Sequence, residues 1–179
     1  MRNDEAKGKP MSISADDRAA ILDLISEYAY TFDEDRIQEM VDLFVDDGEW
    51  SIYLSGSDTP VLKTSSNAER RVVLQEVRSG PTNQAGMPRH FQTNTVLKRL
   101  SADRISGRTI VAGTQQPYDG SQASILFSGV YEDEFVFADA GWRFAARRGT
   151  TFQIPREPAT RIHVPVLQCR EDRKHGRRQ

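Results

Sequence analysis

The chain has 179 residues, of which 37% are hydrophobic and 28% are charged. This length fits one domain with a single core. The net charge of −2 provides no positive field for nucleic acid, and no apolar run approaches the roughly 20 residues that span a bilayer. A single cysteine, Cys169, excludes an internal disulfide and a cysteine-based zinc cluster. We therefore expect a cytoplasmic protein that binds neither nucleic acid nor membrane.

The chain starts with a polar segment, residues 1–13, in which Gly8 and Pro10 favour disorder. Ser14 followed by Asp17 resembles a capping box and predicts the start of a helix. Apolar side chains then recur at the spacing of one helix face, at Ile21, Leu24, Ile25 and Tyr28. This amphipathic pattern predicts the first helix.

A second helix is predicted after a junction that contains Asp33 and Asp35. Helical spacing resumes at Ile37, Met40, Val41 and Phe44. The Asp-Asp-Gly sequence at 46–48 is then predicted to stop the helix. Apolar and polar residues alternate over 50–54, which predicts a half-buried strand.

A third helix is predicted to start at Ser65 or Ser66 and to close at Gly80, before a loop over 82–88. The remainder is predicted to form an antiparallel meander with short turns, in strands 89–99, 107–117, 122–137 and 141–154. Helices followed by such a meander indicate an α+β domain, with the helices packed on one face of a curved sheet.

The residues from 155 onward differ in composition. They contain three prolines, which disfavour helix and sheet, and seven basic residues against three acidic ones. We therefore predict one domain over residues 14–154, followed by an extended, basic, Pro-containing arm over 155–179.

His90 is the histidine placed on a predicted core strand, since His163 and His175 lie in the arm. It shares its strand face with Gln92 and Asn94. If this face points inward, the polar side chains line a cavity or are hydrogen-bonded, because burying unpaired polar groups is costly. The alternative is a polar edge that faces solvent.

Asp33 is a candidate partner of His90, because a carboxylate beside an imidazole fixes its tautomer and stabilises its protonated form. The alternative role of Asp33 is to cap the second helix.

A substrate oxygen that becomes an enolate needs a hydrogen-bond donor, and the candidate donors are Tyr28, Tyr30 and Tyr53. Core packing is the alternative for Tyr28. Arg147 could bind a leaving anion or a carboxylate, and solvent exposure is its alternative.

Other kinds of catalysis find little support in the sequence. Asp46 and Asp47 lack a suitably spaced histidine or glutamate, so they indicate a helix end rather than a metal site. There is no glycine-rich phosphate loop and no GxSxG motif. We expect no metal site.

The stretches that carry a family resemblance are RAAILDLISEYAYTFDEDRIQEMVDLFVDDGEW, RHFQTN and SGVYEDEFVFADAGWRFAARR. In order and spacing they resemble the SnoaL-like branch of the NTF2-like superfamily, which includes scytalone dehydratase and hexachlorocyclohexane dehydrochlorinase. The resemblance covers residues 14–152 and implies a cone-shaped barrel, in which a strongly curved antiparallel sheet and three N-terminal helices enclose a pocket. It also implies cofactor-free catalysis by Asp33 and His90, and a homodimer or homotrimer.

Within that resemblance, Tyr28 occupies the position at which the dehydrochlorinase has a lysine that assists chloride departure. The arginine of the dehydrochlorinase corresponds to Arg147. Tyr53 corresponds to a catalytic tyrosine of scytalone dehydratase, but that enzyme's second histidine has no counterpart here. We expect a dehydratase-type lyase or an isomerase with Asp33 and His90 as its general base. Its expected substrate is small, hydrophobic, and cyclic or polyketide-like. The expected substrate-binding residues are Tyr28, Tyr30, Tyr53, Asn94 and Arg147.

Two further readings stay open because this scaffold hosts several functions. The first is a non-catalytic subunit for small-molecule binding or assembly, since RHFQTN also resembles a dioxygenase β subunit. The second is a different enzyme of the same fold, either an epoxide hydrolase or a polyketide cyclase.

Overall fold

The computed structural model describes residues 12–139 and 141–153, with the exception of the side chains of Thr82 and Gln153. The helices are α1 (Ala15–Asp33), α2 (Ile37–Asp42), α3 (Asn67–Ser79) and α4 (Pro81–Gln84). The strands are β1 (Phe44–Leu54), β2 (Pro60–Thr64), β3 (Gly86–Arg99), β4 (Arg104–Pro117), β5 (Ser124–Ala138) and β6 (Gly141–Gln153). The predicted α+β class is confirmed.

The predicted arm, residues 155–179, lies outside the described residues, as does most of the predicted tail. Two tail residues that are described lie against the fold. Ile13 packs on the hydrophobic core, and the Ser12 carbonyl accepts a hydrogen bond from Arg99 Nε at 3.1 Å. Ser12 and Ile13 thus contact the folded part of the chain, and the predicted domain boundary at Ser14 stays a prediction.

Helix α1 forms as its sequence predicts. The Ser14 hydroxyl caps it by accepting a hydrogen bond from the Asp17 backbone N–H at 3.0 Å. Its buried face contains the four apolar residues of the periodic pattern, and the helix continues to Asp33. This length places the Asp33 side chain at the far end of the helix from its cap.

Helix α2 is shorter than predicted, because it ends at Asp42 and Phe44 already belongs to β1. The cause is a long-range contact. The Phe144 backbone N–H of β6 donates to the Leu43 carbonyl at 2.9 Å, and the Phe44 and Phe144 rings pack 5.0 Å apart. Phe44 matches the helical spacing but is buried through strand pairing.

The sheet order is β2-β1-β6-β5-β4-β3. The meander from β3 to β6 is antiparallel as predicted, whereas β1 pairs with β6 in parallel. Strand β2 was not predicted, and the expected loop over 82–88 includes the single turn of α4 and the start of β3. Each pair of neighbouring strands contains a register shift. Such shifts bend strands and contribute to the curvature of the sheet.

The helices pack on the inner face of this sheet, with α1 against β3 and β6 and α3 against β1 and β2. The core lies between the two layers and is rich in aromatic rings: Tyr28, Phe44, Trp50, Tyr131, Phe135, Trp142 and Phe144. No helix in the described part of the chain is long and apolar enough to cross a membrane.

Candidate active site

The Asp33 carboxylate and the His90 imidazole are in direct contact. Asp33 Oδ1 lies 2.6 Å from His90 Nδ1, and Asp33 Oδ2 accepts a hydrogen bond from the His90 backbone N–H at 2.8 Å. The exposed fraction is 3% for the Asp33 side chain and 9% for the His90 side chain. Both carboxylate oxygens thus hold the same residue, which fixes its backbone and its ring.

This contact joins the last residue of α1 to the first half of β3. Strand β3 is an edge strand of the sheet. In an edge strand, the N–H groups that point away from the neighbouring strand lack a partner in the ladder. The His90 N–H uses the Asp33 carboxylate instead. The structure therefore brings together the two residues predicted to act as a base, and their catalytic role stays a prediction.

Two aromatic rings flank the imidazole. The Phe32 ring meets the His90 ring edge-on at 5.0 Å between centroids, and the Phe127 ring lies 5.6 Å away. Gly113 is the partner of His90 on β4. A Cβ atom at Gly113 would lie 2.1 Å from the Phe127 ring. The glycine therefore provides the space in which Phe127 packs beside His90.

A cavity of about 320 Å³ borders the carboxylate end of the pair. Its lining includes polar side chains from α1, α3, α4 and β3, among them Asp33, Glu34, Arg78, Asn83 and Arg89. Arg78 Nε lies 3.3 Å from Asp35 Oδ1, and the Arg78 guanidinium lies 5.4 Å from the Phe32 ring centroid. The carboxylate end of the pair is thus polar, whereas the imidazole lies between rings.

A second charged pair is buried in the interior. Arg147 Nε and Nη2 donate to the two Asp133 carboxylate oxygens at 2.8 and 3.0 Å, and both side chains are fully buried. The guanidinium carbon lies 4.0–4.3 Å from the ring centroids of Tyr28, Tyr131 and Phe144. Among the described residues, the buried Arg147 Nη1 has no hydrogen-bond partner. Asp133 balances the arginine charge, and one guanidinium nitrogen still offers N–H groups.

Tyr28 lies in the same interior cluster. Its ring makes edge contacts with Phe44, Tyr131 and Phe144. The Tyr131 hydroxyl and the Trp50 indole lie beside the Tyr28 hydroxyl. Burial raises the pKa of Tyr28 above its ordinary value of 10.0, and burial raises that of Tyr131 well above it. Both hydroxyls therefore keep their protons at neutral pH.

Residues 14–148 match the SnoaL-like domain family. The chain belongs to this family. Gamma-hexachlorocyclohexane dehydrochlorinase of Sphingobium indicum is 30% identical over 134 residues, which are 75% of this chain and 80% of that relative. The resemblance predicted from the sequence is thus confirmed.

The SnoaL-like chain also resembles solved structures. A proposed beta subunit of an aromatic-ring-hydroxylating dioxygenase from Novosphingobium aromaticivorans matches with a TM-score of 0.66 at 22% identity, over 76% of this chain and 90% of that one. A proposed scytalone dehydratase from the same species matches with a TM-score of 0.61 at 21% identity, over 82% and 93%. At these identities the likeness shows the fold, which is that of NTF2-like proteins.

Tyr30 does not face the interior of this SnoaL-like domain, since it is 56% exposed on α1. This exposed position does not support the predicted role of Tyr30 as a hydrogen-bond donor to a substrate inside the fold. Tyr30 follows Tyr28 by two positions, which turns it about 200° around the helix axis. Because Tyr28 points into the core, Tyr30 points to solvent.

Tyr53 also points away from the interior. Its ring lies under the Arg148 guanidinium, at 4.0 Å from ring centroid to guanidinium carbon. Its neighbour Ile52 faces inward, where its Cδ1 lies near Gly149. Successive strand residues point to opposite faces. The prediction that Tyr53 donates to a substrate inside the fold is therefore wrong.

Asn94 is exposed and does not share the face of His90 and Gln92. The pairing of β3 with β4 shifts register between Thr93 and Val96, and Asn94 has a positive φ of 56°. This irregularity is a β-bulge, which changes the phase of the strand. Gln92 still points inward and donates to the Ile25 carbonyl at 2.8 Å. The predicted pocket position of Asn94 is therefore wrong.

Sequence reasoning missed Asp133, Phe127 and Tyr131 as members of the interior site. Asp133 pairs with Arg147 across β5 and β6 only because the register shifts between Glu134 and Phe135, whereas a plain count from the Ala138–Gly141 pair would place Asp133 opposite Ala146. The described residues contain no group of three or more metal-ligating side chains that could hold an ion.

Proposed function

We propose that the protein is a cofactor-independent lyase of the dehydratase type, or an isomerase, in which Asp33 orients His90 as a general base. The observation that carries the proposal is the contact between the Asp33 carboxylate and His90 Nδ1 at 2.6 Å. Membership of the SnoaL-like family and relatives named as a dehydrochlorinase and a scytalone dehydratase support an elimination chemistry.

The geometry assigns different tasks to the two ring nitrogens of His90. An ionised Asp33 accepts the Nδ1–H, so Nε2 carries the lone pair that can accept a proton. When Nε2 takes a proton, the imidazolium charge forms beside the carboxylate. Asp33 stabilises that charge and holds the ring in its orientation.

The reaction we propose begins with removal of a proton from a carbon next to a carbonyl. His90 Nε2 takes the proton, and the electron pair of the C–H bond forms the carbon–carbon double bond of an enolate. In an elimination, the enolate oxygen re-forms the carbonyl, the electron pair of the enolate double bond forms a double bond between the α and β carbons, and the bond from the β carbon to its hydroxyl breaks with its electrons leaving on the hydroxide. The imidazolium then protonates the departing hydroxide to give water. In an isomerisation, the same proton returns to a different carbon.

The surroundings of the pair suit a small hydrophobic substrate, cyclic or polyketide-like, with few polar groups. Phe32 and Phe127 flank the base with apolar surface. Arg147 Nη1 and the Tyr28 hydroxyl are hydrogen-bond donors in the aromatic interior. We propose that these donors bind a neutral oxygen of the substrate, because the Arg147 charge is already balanced by Asp133.

The test uses the purified full chain in heavy water with a panel of small cyclic β-hydroxyketones and β,γ-unsaturated ketones. Proton NMR follows loss of the signal next to the carbonyl and growth of vinyl signals. We expect turnover by the wild type and loss of turnover in His90→Gln, with unchanged circular dichroism. Asp17→Asn is the matched control, because Asp17 lies at the opposite end of α1. Equal turnover by His90→Gln and wild type would contradict the proposal.

The alternative is a non-catalytic subunit, favoured by the fold likeness to the proposed dioxygenase beta subunit. In that case the chain binds ligand or a larger subunit without using His90 as a base. Co-purification with a larger subunit, together with ligand binding that is unaffected by His90→Gln, would favour this alternative.

A further inference from the structure

Gln92 is an inward polar side chain of β3 that the proposed reaction does not use. It follows His90 by two positions, and the register with β4 is continuous from His90 to Gln92. Both side chains therefore point to the same face of the strand. The Gln92 amide nitrogen donates to the Ile25 carbonyl of α1 at 2.8 Å. Gln92 thus lies between the sheet and α1, on the side of the general base.

The hydrogen bond to Ile25 fixes the direction of the Gln92 amide. A backbone carbonyl can only accept, so the atom that faces Ile25 is the amide nitrogen, and the oxygen Oε1 is turned away from it. Oε1 is buried and has no hydrogen-bond partner among the described residues. Val111, the neighbour of Gln92 across β4, is buried and apolar, so its side chain provides no donor.

An unpaired amide oxygen in the interior is costly, and buried polar groups almost always have a partner. Of the buried side-chain atoms that lack a partner in the described part of the chain, Gln92 Oε1 is the one that can only accept a hydrogen bond. Arg147 Nη1 belongs to the same set of atoms and can only donate. A ligand that pairs with both atoms must therefore carry an acceptor and a donor.

We infer that Gln92 Oε1 accepts a hydrogen bond from a hydroxyl of the substrate, so that Gln92 selects ketones that carry this hydroxyl. The inference rests on the proposed function, in which Arg147 Nη1 binds the carbonyl oxygen and His90 removes the neighbouring proton. Two positions along a strand span about 7 Å, so one small ring can reach both His90 and Gln92. A ketone without the hydroxyl leaves the Gln92 oxygen unpaired, and the site rejects it for that reason.

The hydroxyl that Gln92 binds is not the one that leaves in an elimination. A departing hydroxide needs a proton, and an amide oxygen that only accepts hydrogen bonds cannot supply one. An acceptor on the leaving hydroxyl would also oppose the negative charge that forms on its oxygen. The inferred substrate is therefore a cyclic ketone with a hydroxyl that stays on the product.

The test compares two ring ketones that differ in one group, 4-hydroxycyclohexanone and 4-methylcyclohexanone. Neither has a hydroxyl on its β carbon, so neither undergoes the proposed elimination, and binding is measured by itself. Dissociation constants come from ligand-observed NMR titrations of the purified full chain. We expect the wild type to prefer the hydroxyketone. Gln92→Met should shift the ratio of the two dissociation constants about tenfold toward the methylketone, the effect of one lost hydrogen bond.

Gln116→Met is the matched control, because it makes the same change at an exposed amide of β4 and should leave the ratio unchanged. Since Gln92→Met also removes the bond to Ile25, a measurement on the wild type guards against an effect on folding. In the ¹⁵N-labelled wild type, the side-chain amide nitrogen of Gln92 should shift further downfield with the hydroxyketone than with the methylketone. The reason is that an amide whose oxygen accepts a hydrogen bond is more polarised.

A wild type without preference for the hydroxyketone would overturn the inference, and so would the same ratio of dissociation constants in wild type and Gln92→Met. Neither outcome depends on turnover. Failure of the proposed function would show instead as equal turnover by His90→Gln and wild type in the heavy-water assay.

Discussion

Each end of helix α1 carries an aspartate that is fastened to the sheet. At the first turn, Asp17 pairs with Arg99 at the end of β3 and accepts a hydrogen bond from the Trp142 indole N–H at 3.0 Å. At the last turn, Asp33 holds the ring and the backbone of His90 near the start of β3. The helix and the strand are thus joined twice, by the same type of side chain.

The two contacts differ in what the partner of each carboxylate can do with a proton. The Arg99 guanidinium and the Trp142 indole are donors that do not exchange a proton near neutral pH. Asp17 can therefore only hold structure. The His90 imidazole can accept a proton at Nε2 while the Asp33 carboxylate holds Nδ1. Both aspartates thus fasten α1 to the sheet. The Asp17 contacts stabilise the fold, whereas the Asp33 contact also allows His90 to accept a proton.

The largest expected effect separates the two aspartates by activity. Asp33→Asn should lower turnover by up to about ten thousandfold, because an amide cannot stabilise the imidazolium and favours the wrong tautomer. Asp17→Asn should leave turnover within about twofold, since it lies outside the reacting groups. The measurement is the heavy-water NMR assay with both variants at matched folded fractions. Similar losses of turnover in Asp33→Asn and Asp17→Asn would contradict the proposed difference between the two aspartates.

The next effect separates the two ends by stability. Arg99 is largely buried and donates to the Ser12 and Ala102 carbonyls at 3.1 and 2.9 Å, besides Asp17. Arg99→Met should lower the free energy of unfolding by about 2–3 kcal/mol, because it leaves a charged group and carbonyls without their donor. Urea unfolding followed by circular dichroism measures the free energy of unfolding of the wild type and of Arg99→Met. A loss below about 0.5 kcal/mol, the range of a neutral surface change, would contradict the structural role.

The Asp17 end should also show a defined dependence on pH. Hydrogen bonds from Trp142 and Ser14, followed by the contact with Arg99, lower the pKa of Asp17 below its ordinary value of 3.8. A lowered pKa in the folded state adds stability that is present above 3.8 and is lost as pH falls through the folded value. The stability difference between wild type and Asp17→Asn should therefore shrink on acidification. A constant difference from neutral pH to below that value would contradict the shift.

The smallest effect concerns the indole at the Asp17 end. Trp142→Phe keeps an aromatic ring in the core but removes the N–H that binds Asp17. We expect a loss of about 1 kcal/mol in the free energy of unfolding, the usual contribution of one hydrogen bond. We expect turnover to stay unchanged. Paired urea titrations of wild type and Trp142→Phe, with the NMR assay as control, measure both quantities.

Local pattern predicted much of this architecture. The periodic face of α1 gave the correct helix because each apolar residue lies one turn from the next, and the Ser14 cap marks its start. The meander followed from alternation and short turns. The likeness of Asp33 and His90 to family positions also led to a pair that the structure places in contact.

Local pattern failed where packing or pairing decides the outcome. Phe44 fits a helical repeat, yet its strand pairs with β6, a partner about a hundred residues away in sequence. The donor roles predicted for Tyr30 and Tyr53 rest on the chemistry of the phenol, but helix angle and strand alternation turn both side chains away from the interior. Both orientations follow from the period of the helix and of the strand.

By itself, the sequence determined the apolar face of α1, the position of Asp33 at its end and the succession of strands in the meander. These follow from periodicities that act over a few residues. Only the tertiary structure decided that Asn94 leaves the face of His90 and that Asp133 meets Arg147. Both outcomes depend on β-bulges, at 93–96 in β3 and at Ala145 of β6, which lies opposite 134–135 of β5. A shift of one residue reverses which side chains point inward, and its position is set by pairing with distant strands.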